Sequence, residues 1–355
     1  MKLSRTLTLI VVLIVIIGGI YWLEAKKEPR IAAKELPLPK LAVQDASGYP
    51  RAREIASPSG FVNTAPMTLA QFVGKKVILV DFMTYSCINC QRTYPYLNAW
   101  WDKYKDHGLL IVGIHTPEFD FEKQIDNVRA AAKKYGLKFP IVLDNDHGTW
   151  NAYGNLYWPR EYLVDIYGNI VHDQIGEGNY DETERAIQSA LLTRKAALGL
   201  KDEVVPGGLV NPSGAIEMDA SQVKSEETYF GSGRNSFLGS GIQGLSGVQD
   251  MPAPKDLRDN TLYLTGRWNF QAEYAENQSA GAVITYKYNA KNVYLVANAP
   301  AGVKLTIKLD GQPLGTVLVK EDRLYDIVKG QGYGEHLLEI TVEGPGLRAY
   351  TFTFG

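Results

Sequence analysis

Residues 77–90 read Val77-Ile78-Leu79-Val80-Asp81-Phe82-Met83-Thr84-Tyr85-Ser86-Cys87-Ile88-Asn89-Cys90. The apolar run at the front is short and rich in β-branched residues, the pattern of a strand buried in a sheet. The end of the stretch is a C-x-x-C motif. In such a motif the first sulfur sits at a helix N-terminus, where free backbone N–H groups and the helix dipole stabilise a thiolate. The second lies one turn further on, close enough to close a disulfide. Cys87 is then expected as the exposed nucleophile and Cys90 as the partly buried thiol that resolves a mixed disulfide. Taken by itself the motif also admits half a zinc site or chance spacing.

The rest of the chain narrows those readings. Cys87 and Cys90 are the only two cysteines among 355 residues, so any disulfide within this chain is Cys87–Cys90. Two cysteines cannot furnish four metal ligands, and the five histidines form no H-x-x-x-H spacing, so neither a metal nor a cofactor is expected. A net charge of −2 gives no basic face for nucleic acid.

Working outward, strand and helix patterns alternate. Residues 93–104 have helical character up to His107-Gly108, residues 109–114 repeat the buried-strand pattern, and residues 125–135 form a helix stopped by Gly136. Residues 141–143 make a third strand, residues 162–165 and 170–173 flank a Tyr167-Gly168-Asn169 turn, and an amphipathic helix over 182–198 stops at Gly199. This is an α/β pattern, a mixed sheet covered by helices, over residues 46–200. Gly, Pro and Ser enrich residues 201–225, a linker. From 226 to 355 no helix is evident, and short β-rich segments separated by turns such as Asp310-Gly311 and Pro345-Gly346 predict an all-β sandwich, jelly-roll-like domain.

At the front, Lys2 and Arg5 precede an apolar run over 7–23, within the ~17–25 residues that a spanning helix needs. It ends in Tyr21-Trp22-Leu23-Glu24-Ala25-Lys26-Lys27, a poor cleavage site and a suitable interfacial anchor. Residues 1–24 are therefore expected as an uncleaved signal anchor, an N-terminal transmembrane helix that holds the chain at the membrane. Residues 25–45, polar and Pro-punctuated, are expected as a tether. The soluble part then faces the periplasm or cell exterior, where disulfide chemistry is permitted.

Several positions besides the cysteines resemble the thioredoxin superfamily. Asp81 stands six residues before Cys87, where thioredoxin-like proteins carry a buried acid proposed to move a proton from the resolving thiol. Pro95, eight residues after Cys87, matches the helix-kinking proline, and Trp158-Pro159 ahead of the 162–165 strand matches the cis-proline that faces the disulfide. The helix over 125–135 is typical of the TlpA/ResA-like branch. The segments Thr84–Cys90 and His115-Thr116-Pro117-Glu118-Phe119 look like the thioredoxin domain of DipZ-type proteins, which also carry a C-terminal β domain resembling a carbohydrate-binding module. Met83 departs from the pattern, standing where thioredoxins usually have Trp.

The resemblance implies a thiol–disulfide oxidoreductase acting on protein thiol or disulfide clients, with Cys87, Cys90 and Asp81 catalytic and Trp158 and Pro159 at the client surface. DipZ-type proteins include a multi-span CcdA-like domain, so a membrane electron donor of the CcdA/DsbD type is the expected partner. Two other readings compete. Thr84 stands three before Cys87 as in the peroxiredoxin pattern P-x-x-x-T-x-x-C, but Val80 replaces its proline. The β domain, with Tyr229, Phe230, Tyr263, Trp268, Phe270 and Tyr274, could instead serve as a glycan-binding or scaffold module, since aromatic faces stack on sugar rings.

Overall fold

The computed structural model describes residues 48–216 and 218–355. The expected anchor and tether lie outside the described residues, and no described helix is long and apolar enough to cross a membrane.

The first part of the chain runs β1 (Gly60–Val62), β2 (Val77–Met83), α1 (Ile88–Tyr104), β3 (Leu109–His115), α2 (Ile125–Tyr135), β4 (Ile141–Leu143), α3 (Gly148–Ala152), β5 (Arg160–Val164), β6 (Ile170–Ile175) and α4 (Tyr180–Ala197). The six strands form one mixed sheet in the order β1-β4-β3-β2-β5-β6. β2, β3 and β4 are parallel, and β5 turns antiparallel to β2. This is the mixed, helix-covered sheet expected. Alternation along β2 explains its continuous apolar run. Ile78, Val80 and Phe82 enter one core with Trp150 and Tyr162, while Val77, Leu79 and Met83 enter another with α1, α2 and α4. Asp81, between Leu79 and Met83, therefore points toward α1.

Helix α1 begins at Ile88, earlier than the 93–104 span that its composition suggests, so the C-x-x-C is the first turn itself. Isoleucine and asparagine are weak helix formers, which hides that turn in the sequence. Pro95 lies inside the helix as expected.

The C-terminal part is β-rich: β7 (Thr228–Tyr229), β8 (Gly247–Met251), β9 (Leu262–Phe270), β10 (Ala275–Asn277), β11 (Ala282–Asn298), β12 (Val303–Leu309), β13 (Gln312–Val319), β14 (Arg323–Val342) and β15 (Arg348–Phe354). β11 pairs with β14 along nearly its whole length. On its other edge its first half pairs with β9 and its second half with β15. That edge of β11 is thus shared between two strands, and its pairing with β14 shifts register between Ala290 and Asn292. Gly330 is required there, because a Cβ at that position would run into the Lys291 carbonyl oxygen. Trp268, Tyr286, Tyr288 and Phe352 fill the enclosed core.

The two parts share a small apolar contact beside the cysteines. Ile88 and Phe119 pack with Tyr294, Val296, Leu324 and Tyr350. Around this contact Arg234 Nη1 and the Tyr229 hydroxyl each donate to Glu118 Oε1 at 2.8 Å. The Asp120 N–H donates to Glu273 Oε2 at 3.0 Å.

Candidate functional site

Cys87 is the N-cap residue of α1, half-buried, and Cys90 is fully buried one turn later. Both are free thiols, and the Cys90 thiol is hydrogen-bonded to Cys87. Burial pushes the Cys90 thiol well up, with the Cys87 hydrogen bond and the charges of Cys87 and Asp81 adding to it. The Cys87 sulfur lies 4.0 Å from the Trp158 carbonyl oxygen. The Trp158–Pro159 peptide is cis, and the Trp158 ring lies 4.3 Å from that of Trp150. Beneath the pair, Asp81 is 1 % exposed with neither carboxyl oxygen hydrogen-bonded. Desolvation holds its pKa up at about 7. The structure thus brings Cys87, Cys90, Asp81, Trp158 and Pro159 to one end of the sheet, where β2 and β5 meet the start of α1.

The loop that carries Cys87 is held by a group not singled out from the sequence. Buried Glu122 accepts from the Ser86 N–H at 3.2 Å and the Ser86 hydroxyl at 2.6 Å on one oxygen. Its other oxygen accepts from the N–H groups of Glu118 at 2.7 Å and Phe119 at 3.1 Å. Burial raises the Glu122 pKa and these donors draw it back. Replacing Glu122 with Gln puts an amide donor against this set. We expect a loss of about 2–3 kcal/mol in chemical denaturation, together with faster proteolytic cleavage near Ser86.

His115 plays a similar supporting part. Its Nε2 accepts from the Tyr85 N–H at 3.4 Å and lies 3.5 Å from the Thr84 hydroxyl, while the Tyr85 ring stacks on the imidazole at 5.6 Å. Burial lowers its pKa to about 4, so it is neutral at physiological pH. Met83 packs in the same core, and its sulfur accepts from the Tyr94 hydroxyl at 3.4 Å.

Of the aromatic residues considered for sugar stacking, Phe230, Trp268 and Phe270 are fully buried and Tyr263 nearly so. Tyr229 and Tyr274 pack at the contact with the first part of the chain, with the Arg234 guanidinium 3.7 Å from the Tyr229 ring centre. None of the six is a free aromatic platform. The sequence reading also passed over Glu161, buried beside Asp81. Period-2 alternation puts it on the face of Leu163, which was the available signal.

Comparison with known proteins matches residues 54–173 to the AhpC/TSA family and residues 225–355 to a family described as a thioredoxin-like C-terminal domain. The protein DipZ of Mycobacterium bovis is 35% identical over 307 residues, covering 86% of this chain and 43% of DipZ. The chain thus spans less than half the length of that relative. The thiol–disulfide oxidoreductase YkuV of Bacillus subtilis is 28% identical over 138 residues, 39% of this chain and 92% of YkuV. The thiol–disulfide oxidoreductase ResA of Bacillus thuringiensis is 26% identical over 195 residues, 53% of this chain and 98% of ResA.

Fold and paired cysteines together define a thiol–disulfide oxidoreductase domain of the thioredoxin superfamily. Similarity to DipZ, ResA and YkuV supports the TlpA/ResA-like thioredoxin branch, and the match to DipZ extends over most of this chain, thioredoxin-like part and C-terminal domain together.

Proposed function

We propose that this chain exchanges disulfides with extracytoplasmic protein clients, in the reductive direction, while anchored at the membrane through residues 1–24. The observation that carries this reading is the asymmetry of the pair, with half-exposed Cys87 at the helix start and wholly buried Cys90 above the unpartnered acid Asp81. Cys87 attacks the client disulfide, the client's leaving sulfur departs as a thiolate, and a mixed disulfide forms. Cys90 then attacks Cys87, releasing the reduced client and leaving a Cys87–Cys90 disulfide. Asp81 takes the proton from the Cys90 thiol, for which burial makes ionisation costly. The backbone at Trp158 and Pro159, beside the Cys87 sulfur, receives the client chain. A membrane donor of the CcdA/DsbD type then reduces the disulfide.

The test is the Cys87–Cys90 potential, equilibrated against glutathione and read by alkylation of free thiols. We expect a value near about −270 mV, in the range of thioredoxin-like reductants. A value near about −120 mV would reverse the direction proposed. Rapid consumption of hydrogen peroxide without a protein thiol client would instead favour the peroxiredoxin-type reading.

A further inference from the structure

A buried acid that accepts a proton in every cycle must also lose it, and Asp81 is sealed from water. Its strand neighbours decide where the proton can go. Across β2 and β3 Asp81 faces Gly113, which has no side chain. Across β2 and β5 it faces Glu161 in direct register, so the two carboxyls project from the same face of the sheet. Glu161 is 2 % exposed, and its Oε1, like both oxygens of Asp81, has no hydrogen-bond partner. Two carboxyls this close in an apolar core cannot both ionise, so the pair retains a proton. Burying such unpartnered carboxyls costs stability.

The Thr183 side chain, fully buried on α4, hydrogen-bonds the Glu161 carboxyl and partly offsets the rise that burial gives its pKa. The Thr183 hydroxyl in turn lies 3.1 Å from Nε2 of His172 on β6. His172 is half-buried and is the first group in this series open to water. The titratable groups facing the pair are Cys90 and Tyr94 from α1 and Tyr180 from α4. From β6, Gln174 stands opposite Glu161 with its own amide engaged by Ile175 O and Asn179. Of these, Tyr180 is half-buried like His172, but no hydrogen bond joins its hydroxyl to either carboxyl.

We propose that Glu161, Thr183 and His172 carry to solvent the proton that Asp81 takes from the Cys90 thiol. This rests on the disulfide-exchange reading above. In the step concerned, the Cys87–client S–S bond breaks and the Cys87–Cys90 bond forms. The electron pair leaves with the client sulfur, which is reduced, while the cysteine pair is oxidised. The Cys90 proton passes to Asp81, from Asp81 to Glu161, and through the Thr183 hydroxyl to His172 and water. Glu161 is a positioning and relay group that acts through Asp81.

The reaction of the reduced full-length protein with 5,5′-dithiobis(2-nitrobenzoate) separates the steps. One coloured thiolate leaves as Cys87 attacks, and a second leaves as Cys90 resolves. In Glu161→Gln and in Thr183→Val, the rate of the second phase relative to the first should fall about tenfold or more at pH 7. The rise of that ratio between pH 6 and 8, and its slowing in D2O, should also weaken. Thr183→Val keeps the side-chain shape, so it tests the route even if Glu161→Gln misfolds. An unchanged ratio and pH profile in Thr183→Val overturns the route. A wild-type protein that releases only one equivalent overturns the disulfide-exchange reading itself.

Discussion

Replacing Cys90 with Ala should convert the protein from a catalyst into a trap. Cys87 keeps its place at the start of α1 and its access to solvent, so it still attacks a client disulfide. With no sulfur behind it, nothing within the chain breaks the resulting mixed disulfide. Client-bound species should therefore accumulate on non-reducing gels and disappear with reductant. Turnover of a protein disulfide substrate should fall by several orders of magnitude, as when one member of a catalytic unit is removed. Replacing Cys87 with Ser should abolish capture as well as turnover, because the remaining thiol is fully buried and hard to ionise. The contrast between the variants is the decisive feature. Equal trapping by both would mean that the cysteines do not divide the roles of attack and resolution.

The difference in exposure on which that expected division rests was legible in the sequence, because local chain geometry creates it. A strand, a short loop and a helix start are consecutive in residues 77–90, and the resemblance to thioredoxins implied a buried acid at Asp81, where the structure places one. Glu161 was not legible in the same way. Its position opposite Asp81 comes from the antiparallel pairing of β2 with β5, whose residues lie 80 apart in sequence. Glu122 escaped for a similar reason, since its value lies in donors from Ser86 that only the folded loop presents.

The C-terminal part shows a different loss of information. Tyr288-Asn289-Ala290-Lys291-Asn292 breaks the apolar alternation, yet the chain runs on as the single strand β11. Residues 330–334, three glycines among them, lie within β14. The two stretches face each other at the register shift between the Ala290–Gly334 and Asn292–Lys329 pairs. Sequence periodicity registers such a shift as an interruption, because a bulge shifts the alternation without ending the strand.

The buried acid proposed to serve the resolving step should also leave a thermodynamic signature. Asp81 holds its proton up to about pH 7 in the folded protein, against 3.8 for the unperturbed group. Below pH 4 the carboxyl is neutral in both folded and unfolded chains and contributes no difference. Between pH 4 and 7 the unfolded chain releases the proton while the folded chain keeps it, so rising pH favours unfolding. Above pH 7 the folded protein carries the desolvated charge and the full cost is present. Asp81→Asn removes that ionisation while keeping a side chain of the same size. We expect the variant to match the wild type near pH 4 and to exceed it by about 2–4 kcal/mol at pH 8. The measurement is the midpoint of chemical denaturation at the two pH values. Glu161 remains in the variant and, freed of its charged neighbour, should titrate lower than it does beside Asp81. A gain in stability at pH 8 accompanied by slower resolution of the mixed disulfide would identify Asp81 as a group kept for chemistry at the expense of the fold. A loss of stability at pH 8 would mean that the ionised carboxyl finds favourable partners in solution and does not carry the cost its burial implies.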